Sequence, residues 1–156
     1  MKLASLALTF AAVATLLCST AGCAPDAPPL KEPAKTVMSN YLAIQASLAG
    51  DTIQGLDDHA KAIATAVKGD AAKTLPPDVA AQAETLAQAK DIKAARAAFK
   101  PLSASLIKYM AAEKAGKGVY HEVYCSMADA SWLQTGKDIR NPYYGKEMLD
   151  CGELKN

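Results

Sequence analysis

TVMSNYLAIQASLAG (residues 36–50) and DTIQGLDDHAKAIATAVK (residues 51–68) repeat apolar side chains at the spacing of an α-helix. Gly50 ends the first stretch, because glycine is a common C-terminal stop. Asp51 opens the second stretch as an Asx variant of the capping box, with Gln54 three residues later. The two predicted inner faces consist of Val37, Tyr41, Ile44 and Leu48, and of Leu56, Ala60, Ile63 and Val67.

Two further stretches have the same spacing. Asp78 is the predicted cap of a third helix and Asp91 of a fourth, since an aspartate side chain accepts hydrogen bonds from first-turn N–H groups. Pro101 interrupts the fourth pattern, and we expect it to kink or split that helix near Lys100. The residues predicted to face inward are Val79, Ala83 and Leu86 in the third helix, and Ala95, Phe99, Leu102, Leu106 and Tyr109 in the fourth.

These patterns predict a mainly α fold, a small antiparallel bundle of about four helices over residues 36–116. Met38 and Met110 are interpreted as packing residues, and His59 as part of a solvated polar edge. We expect the C-terminal segment, residues 117–156, to pack on the bundle as a strand and loop.

Within the C-terminal segment, residues 119–124 are rich in β-branched and aromatic side chains and predict a short strand that leads into Cys125. Residues 131–133 are interpreted as a turn or an apolar cover. Trp132 is interpreted as a plug for the end of the bundle.

The N-terminus has the pattern of an export signal. Lys2 is followed by an uncharged apolar run from Leu3 to Leu17, which is too short for a comfortable membrane span. STAGC, residues 19–23, then resembles a bacterial lipobox. Residues 1–22 are therefore a predicted lipoprotein signal peptide, with ordinary cleavage without lipid as the alternative.

Cleavage before Cys23 makes this cysteine the lipid-bearing first residue. Residues 23–35 are rich in proline and predict an extended tether. We expect an exported protein of the bacterial cell envelope, attached to the membrane through the lipid on Cys23 and facing the periplasm.

Four sulfur side chains mark the C-terminal segment as the candidate site. Cys125 precedes Met127 by two residues, and Met148 precedes Cys151 by three. The NPYYG turn signal, residues 141–145, can fold the two pairs back on each other. Two thiolates and two thioethers favour soft ions, so Cu(I) is the expected ligand, with Ag(I) and zinc as alternatives. His121 is a candidate nitrogen ligand.

A second interpretation needs no metal. Cys125 and Cys151 are an even pair in an oxidising compartment, where a disulfide is the ordinary outcome. A disulfide that closes the loop between these two cysteines stabilises a fold by about 3 kcal/mol on the chain-entropy model. The chain would then be a structural or interaction module of the envelope.

Composition and motifs argue against other classes. The formal charge of +1 gives no support for nucleic-acid binding. The sequence has no phosphate loop, no Cys-x-x-Cys pair and no Gly-x-Ser-x-Gly elbow. A Cys125 nucleophile with His121 as base is unfavourable, because residues four apart on a strand are separated by about 13 Å. We therefore expect a binding protein and not an enzyme.

The C-terminal segments YCSMA (124–128), WL (132–133), IRNPYYG (139–145) and MLDCG (148–152) resemble a bacterial domain family of unknown function. That family occurs as small exported lipoproteins and as an appendage of periplasmic adaptor subunits of copper and silver efflux pumps. The resemblance extends from about Val37 to Glu153. It implies a heavy-metal efflux or metal-delivery partner, and as metal ligands Cys125, Met127, Met148 and Cys151. The family's usual Cys-Pro-Met is Cys-Ser-Met here, which keeps both sulfurs.

Overall fold

A computed structural model of the chain describes residues 30–155. The predicted signal peptide, the predicted lipid attachment site at Cys23 and most of the predicted tether lie outside the described residues. Within the described part, no helix is both long and apolar enough to cross a membrane.

Four helices form a mainly α fold, which confirms the predicted class. They are α1 (Ala34–Ala49), α2 (Leu56–Lys68), α3 (Asp78–Ala87) and α4 (Ile92–Glu113). Each helix packs chiefly on the next along the chain. The predicted inner faces are buried, with Tyr109 only partly so, and Met38 and Met110 are packing residues of the core as expected.

Two helix starts differ from the prediction, and of the two outcomes expected at Pro101, a kink or a split, the split does not occur. The second helix begins at Leu56 and not at Asp51, so the capping-box prediction is wrong. The third begins at Asp78 itself, whose carboxylate accepts a hydrogen bond from Ser105 of α4 (2.6 Å). Asp91 does cap α4, because it accepts the N–H of Ala94 (2.8 Å). The helix also continues through Pro101 without splitting.

A three-stranded antiparallel sheet follows the bundle. Its strands are β1 (Tyr120–Cys125), β2 (Ala130–Thr135) and β3 (Glu153–Leu154), in the order β2-β1-β3. The predicted strand is confirmed as β1, one residue later than expected. Ser131–Leu133 was expected to form a turn or a cover, but it pairs with β1 as part of β2, with Val123 opposite Trp132.

The sheet lies between α4 and the C-terminal loop, which we define as residues 139–152. Glu122 and Ser131 line a groove with side chains of α4. On the other face, Val123 and Trp132 lie against Gly152 of the loop. Strand pairing, in which side chains alternate between faces, therefore directs Val123 and Cys125 toward the loop.

Two tyrosines protect the free edge of β2. The Tyr41 hydroxyl accepts the N–H of Leu133 (3.0 Å) and pairs with the Ser103 hydroxyl. The Tyr143 hydroxyl donates to the carbonyl of Ser131 (2.7 Å). Burial raises the pKa of both phenols, so both stay protonated and able to donate. These bonds occupy edge groups that would otherwise be free to pair with another strand.

Aromatic packing joins the sheet to the bundle. Trp132 is fully buried and meets Tyr143 edge-to-face, with ring centroids 5.9 Å apart. Tyr143 in turn lies against Phe99 of α4 at 5.9 Å, and Phe99 stacks on Tyr41 of α1 at 5.0 Å. This continuous row places Trp132 at the junction between the sheet and the bundle, in keeping with its interpretation as a packing residue.

Candidate functional site

The two cysteines of the C-terminal segment meet beneath the C-terminal loop. Cys125 is the last residue of β1, and Cys151 lies two residues before β3. Because Tyr124 pairs with Glu153 in antiparallel register, the chain just before β3 returns to the end of β1. The two sulfur atoms lie 2.8 Å apart and are free thiols. The structure therefore brings together this predicted pair of site residues.

The two thiols are in unequal surroundings. Cys125 is 0% exposed, whereas Cys151 is partly exposed. Burial by itself raises the pKa of the Cys125 thiol. Hydrogen bonds from the Cys151 thiol, from the backbone N–H groups of Ala128 and Met127 and from the Asn141 side chain outweigh burial, so the pKa of Cys125 lies below its ordinary value.

Cys151 is shifted in the opposite direction. Its hydrogen bond with Cys125 raises the pKa of the Cys151 thiol, and partial burial and the nearby charges of Cys125 and Asp150 act in the same sense. When the pair carries a single proton, that proton therefore favours Cys151 and the negative charge favours Cys125.

Asn141 holds the C-terminal loop at the cysteine pair, although it was not among the predicted site residues. It is 0% exposed. Its side-chain amide donates to the carbonyl of Cys151 (2.8 Å), and its side-chain oxygen accepts the N–H groups of Tyr143 (2.8 Å) and Tyr144 (3.2 Å). Its own N–H donates to Leu149 (2.7 Å). The available signal was Asn before Pro, which is typical of a side chain that organises a turn.

A junction around Arg96 fastens the first half of the loop to the bundle. The guanidinium of Arg96 donates to the carbonyls of Pro142 (2.9 Å) and Leu48 (3.1 Å) and to the carboxylate of Asp51 (2.6 Å). Asp51 also accepts the N–H of Lys146 (3.0 Å). The junction explains the failed capping prediction, because Asp51 has φ +60° in a turn and its carboxylate is used by the loop.

Acidification is expected to weaken this junction. The N–H of Lys146 and then the Arg96 guanidinium hold the pKa of Asp51 below its ordinary value. A depressed folded-state pKa means that the stabilisation is complete above the unfolded-state pKa and is lost as pH falls through the folded-state pKa. Asp51→Asn should therefore be less stable than the wild type at neutral pH, and this difference should shrink in acid.

Urea denaturation at a series of pH values from neutral into strong acid measures that difference. Asp138→Asn removes an exposed carboxylate from the segment between β2 and the loop and serves as the matched control. A difference between Asp51→Asn and the wild type that stays constant over the whole range would contradict the role of the Asp51 carboxylate.

The other predicted ligands are placed differently. Met127 is 62% exposed and lines a groove with Ile92 and Tyr144. Met148 is half-buried, and its carbonyl accepts the N–H of Cys151 (3.1 Å), so its backbone belongs to the turn that carries this thiol. Met127 follows Cys125 in the chain, and Met148 precedes Cys151. Each methionine thus lies in the turn next to one of the two cysteines.

The two histidines lie away from the pair. His121 pairs with Gln134 near the opposite end of β1, four residues or about 13 Å from Cys125 along the strand. The structure therefore does not bring His121 to the cysteine pair. His59 forms a hydrogen bond with Asn40 (2.9 Å) on the bundle surface, which agrees with its interpretation as part of a polar edge. Across residues 30–155, no three His, Cys, Asp or Glu side chains gather closely enough to hold a metal ion.

The helical part of the chain matches the model of a protein family. The model of the family described as "Protein of unknown function (DUF3347)" matches residues 37–118. The matched residues span most of α1, all of α2 to α4 and the turn after them, and they end before β1. The cysteine pair and Asn141 lie beyond the match. No curated protein and no solved structure matches the chain.

Proposed function

The chain belongs to the family described as "Protein of unknown function (DUF3347)", and we propose that it is a lipid-anchored envelope protein that captures a soft metal ion, Cu(I) above all, at Cys125 and Cys151. The observation that carries this proposal is the meeting of the two thiol sulfurs, 2.8 Å apart, at the end of β1. Thiolates are the ligands that soft ions select, and a site of two sulfurs suits Cu(I) better than zinc, which requires four ligands in structural sites.

Local geometry supports ion capture at this place. Thiolate–metal bonds are about 2.3 Å long for zinc, so an ion between two sulfurs needs them roughly 4 Å apart. The sulfur of Cys125 is fixed by a regular strand, whereas Cys151 lies in a partly exposed turn between the short 3-10 helix Gly145–Glu147 and β3. We expect Cys151 to move outward by about 1 Å when an ion enters.

The hydrogen bonds at Cys125 also suit a thiolate ligand. Metal binding requires deprotonated cysteine, and N–H donors aimed at the Cys125 sulfur stabilise its negative charge in a buried place. Met148 shares the turn with Cys151, and we propose its thioether as a third soft donor. The proposed site consists of Cys125 and Cys151, with Met148 and Met127 as auxiliary ligands and without His121.

The sequence of the N-terminus supports the proposed place of action. Residues 1–22 have the signal-peptide pattern, and Cys23 ends a lipobox-like stretch. A lipid on Cys23 would hold the domain at the periplasmic face of a membrane, where it would buffer the ion or pass it to an efflux or metal-delivery protein. Ag(I) would compete for the same thiolates.

The alternative proposal is a structural module in which Cys125 and Cys151 form a permanent disulfide. The observation that favours it is the complete burial of Cys125, since a buried sulfur beside its partner needs no ligand from solution. The bond would tie the end of β1 to the turn before β3 and hold the C-terminal loop on the sheet.

Cu(I) titration against a competing chelator tests the first proposal. We would use the full chain in detergent with Cys18→Ser and Cys23→Ser, so that the pair supplies both thiols. The reduced protein should bind one Cu(I), and Cys151→Ser should weaken binding at least about 100-fold, or about 2.7 kcal/mol. Met148→Leu should weaken it about tenfold. Met110→Leu, at a core position of α4, is the matched control and should leave affinity unchanged.

The same preparation separates the two proposals. If the reduced protein binds Cu(I) no better than dithiothreitol does, the metal proposal is wrong. If in addition no thiol of the protein purified without reductant reacts until the chain is unfolded, the disulfide module is the correct description.

A further inference from the structure

We infer that the cysteine pair is a site of thiol–disulfide exchange in which Cys151 reacts first with an external disulfide and Cys125 then closes the internal bond. The chemical class of the co-substrate is a disulfide, of a small thiol or of a thiol oxidoreductase. Three observations carry this inference: the unequal exposure of the two thiols, the distance between their sulfurs and the anchoring of the loop that carries Cys151.

The order of reaction follows from access. In thiol–disulfide exchange the attacking sulfur must approach along the axis of the sulfur–sulfur bond that breaks. An external disulfide can therefore react only with an exposed thiol. Cys125 is 0% exposed beneath the C-terminal loop, whereas Cys151 is partly exposed between the exposed residues Asp150 and Glu153. An incoming disulfide therefore meets Cys151 and not Cys125.

The first step forms a mixed disulfide. The Cys151 thiol gives up its proton and its sulfur attacks one sulfur of the external disulfide RS–SR, the sulfur–sulfur bond of RS–SR breaks, and RS⁻ leaves and takes up that proton. The protein then carries the group R–S on Cys151. In this step the sulfur of Cys151 is oxidised from the thiol to the disulfide level, and the departing sulfur is reduced from the disulfide to the thiol level.

The second step is internal. The Cys125 sulfur lies 2.8 Å from the Cys151 sulfur, so it attacks that sulfur without a large movement of the chain. The Cys125–Cys151 bond forms, the mixed bond breaks, and the second RS⁻ leaves and takes the proton of Cys125. The two protein thiols have lost two electrons and two protons, and one external disulfide has become two thiols.

Asn141 is the positioning residue for this second step. Its amide donates to the carbonyl of Cys151, and its backbone N–H donates to Leu149 in the same turn. These bonds hold the Cys151 sulfur over the end of β1 while Cys125 attacks. Without them, the mixed disulfide should persist because the turn that carries Cys151 is no longer fixed.

Oxidation of the pair would prevent metal capture, a consequence that rests on the proposed function. A disulfide uses both thiolates, so the oxidised protein would not bind Cu(I), and a dithiol reductant would restore binding. The exchange reaction itself involves no metal and is measured without one.

Trapping experiments with oxidised glutathione test the order. In the full chain with Cys18→Ser and Cys23→Ser, Cys125→Ser should form a glutathione adduct on Cys151 at least about 100 times faster than Cys151→Ser forms one on Cys125, because reaction at a buried sulfur waits for local opening. Denaturant should abolish the difference. Equal rates in the folded proteins, or a faster reaction of Cys125, would overturn the inference.

A second measurement keeps the pair intact. Brief alkylation of the reduced protein with iodoacetamide, followed by peptide mass mapping, should find the label on Cys151 before Cys125.

Asn141→Asp, which keeps the side-chain oxygen and the size, should form the mixed disulfide normally but close it at least about tenfold more slowly. Closure at the wild-type rate in a variant that is folded by circular dichroism would remove Asn141 from the mechanism.

Discussion

Asn141→Ala is expected to lower the free energy of unfolding by about 3–5 kcal/mol. The substitution leaves a space and takes from three backbone groups their hydrogen-bonding partner. The carbonyl of Cys151 loses its donor, and the N–H groups of Tyr143 and Tyr144 lose their acceptor. A buried polar group without a partner costs about 1–3 kcal/mol, and all three groups are bound by the side chain of the fully buried Asn141.

Urea denaturation of the reduced protein measures this loss. Asn40→Ala is the matched control, because Asn40 also uses both ends of its amide, with Thr36 and His59, but lies half-buried on the bundle surface. We expect the control to lose less than about 1 kcal/mol, since water replaces its partners. Equal losses in the two variants would mean that Asn141 does not organise the loop.

Gly145→Ala is expected to lower the free energy of unfolding by about 3 kcal/mol or more. Gly145 has φ +59°, in the left-handed region that a residue with a Cβ enters at a cost of about 1–2 kcal/mol. Space is the larger difficulty. A Cβ at this position would collide with the carboxylate of Asp51 and the guanidinium of Arg96. The methyl group can be accommodated only if the junction opens.

Gly136→Ala separates the two costs. Gly136 also has a positive φ, +83°, but a Cβ there would have nothing within 4 Å. Its variant should lose only the backbone cost of about 1–2 kcal/mol. Thermal and urea unfolding of both variants give the comparison. If Gly145→Ala lowers the free energy of unfolding no more than Gly136→Ala does, the junction opens without loss of stability and does not fasten the loop to the bundle.

Both substitutions act on the same loop from opposite sides. Asn141 connects the loop to the cysteine pair, and Gly145 allows the loop to approach the junction between α1 and α4. A loss of loop order should therefore be visible at the thiols. We expect alkylation of Cys125 in the folded protein to be faster in either variant than in the wild type.

The helical bundle could be predicted because its signals are local. Positions such as Val37, Tyr41, Ile44 and Leu48 face the same way whenever the chain is helical, so their spacing is visible without knowledge of any partner. The Asp91 cap and the strand leading to Cys125 are local in the same sense. The family match, which ends at residue 118, covers the helices but not this strand.

The same local rules failed where a distant residue competed for the same group. Asp51 is a residue type that commonly caps helices. Its carboxylate instead accepts hydrogen bonds from Arg96, 45 residues away, and from Lys146, 95 residues away. Ser131–Leu133 has no clear alternation, yet it becomes a strand because β1 and two tyrosine hydroxyls use its backbone groups. No short window of sequence contains these partners.

For the candidate site, spacing identified the four sulfur side chains and left a metal site and a disulfide open. Tertiary structure decided that Cys125 and Cys151 touch and that His121 remains at the other end of β1. It also decided that Asn141 holds the C-terminal loop at the cysteine pair. The reason is physical. Helices arise from contacts between residues three and four apart, whereas this pair is created by the register of β3 on β1 and by hydrogen bonds across the fold, which leave no periodic trace in the chain.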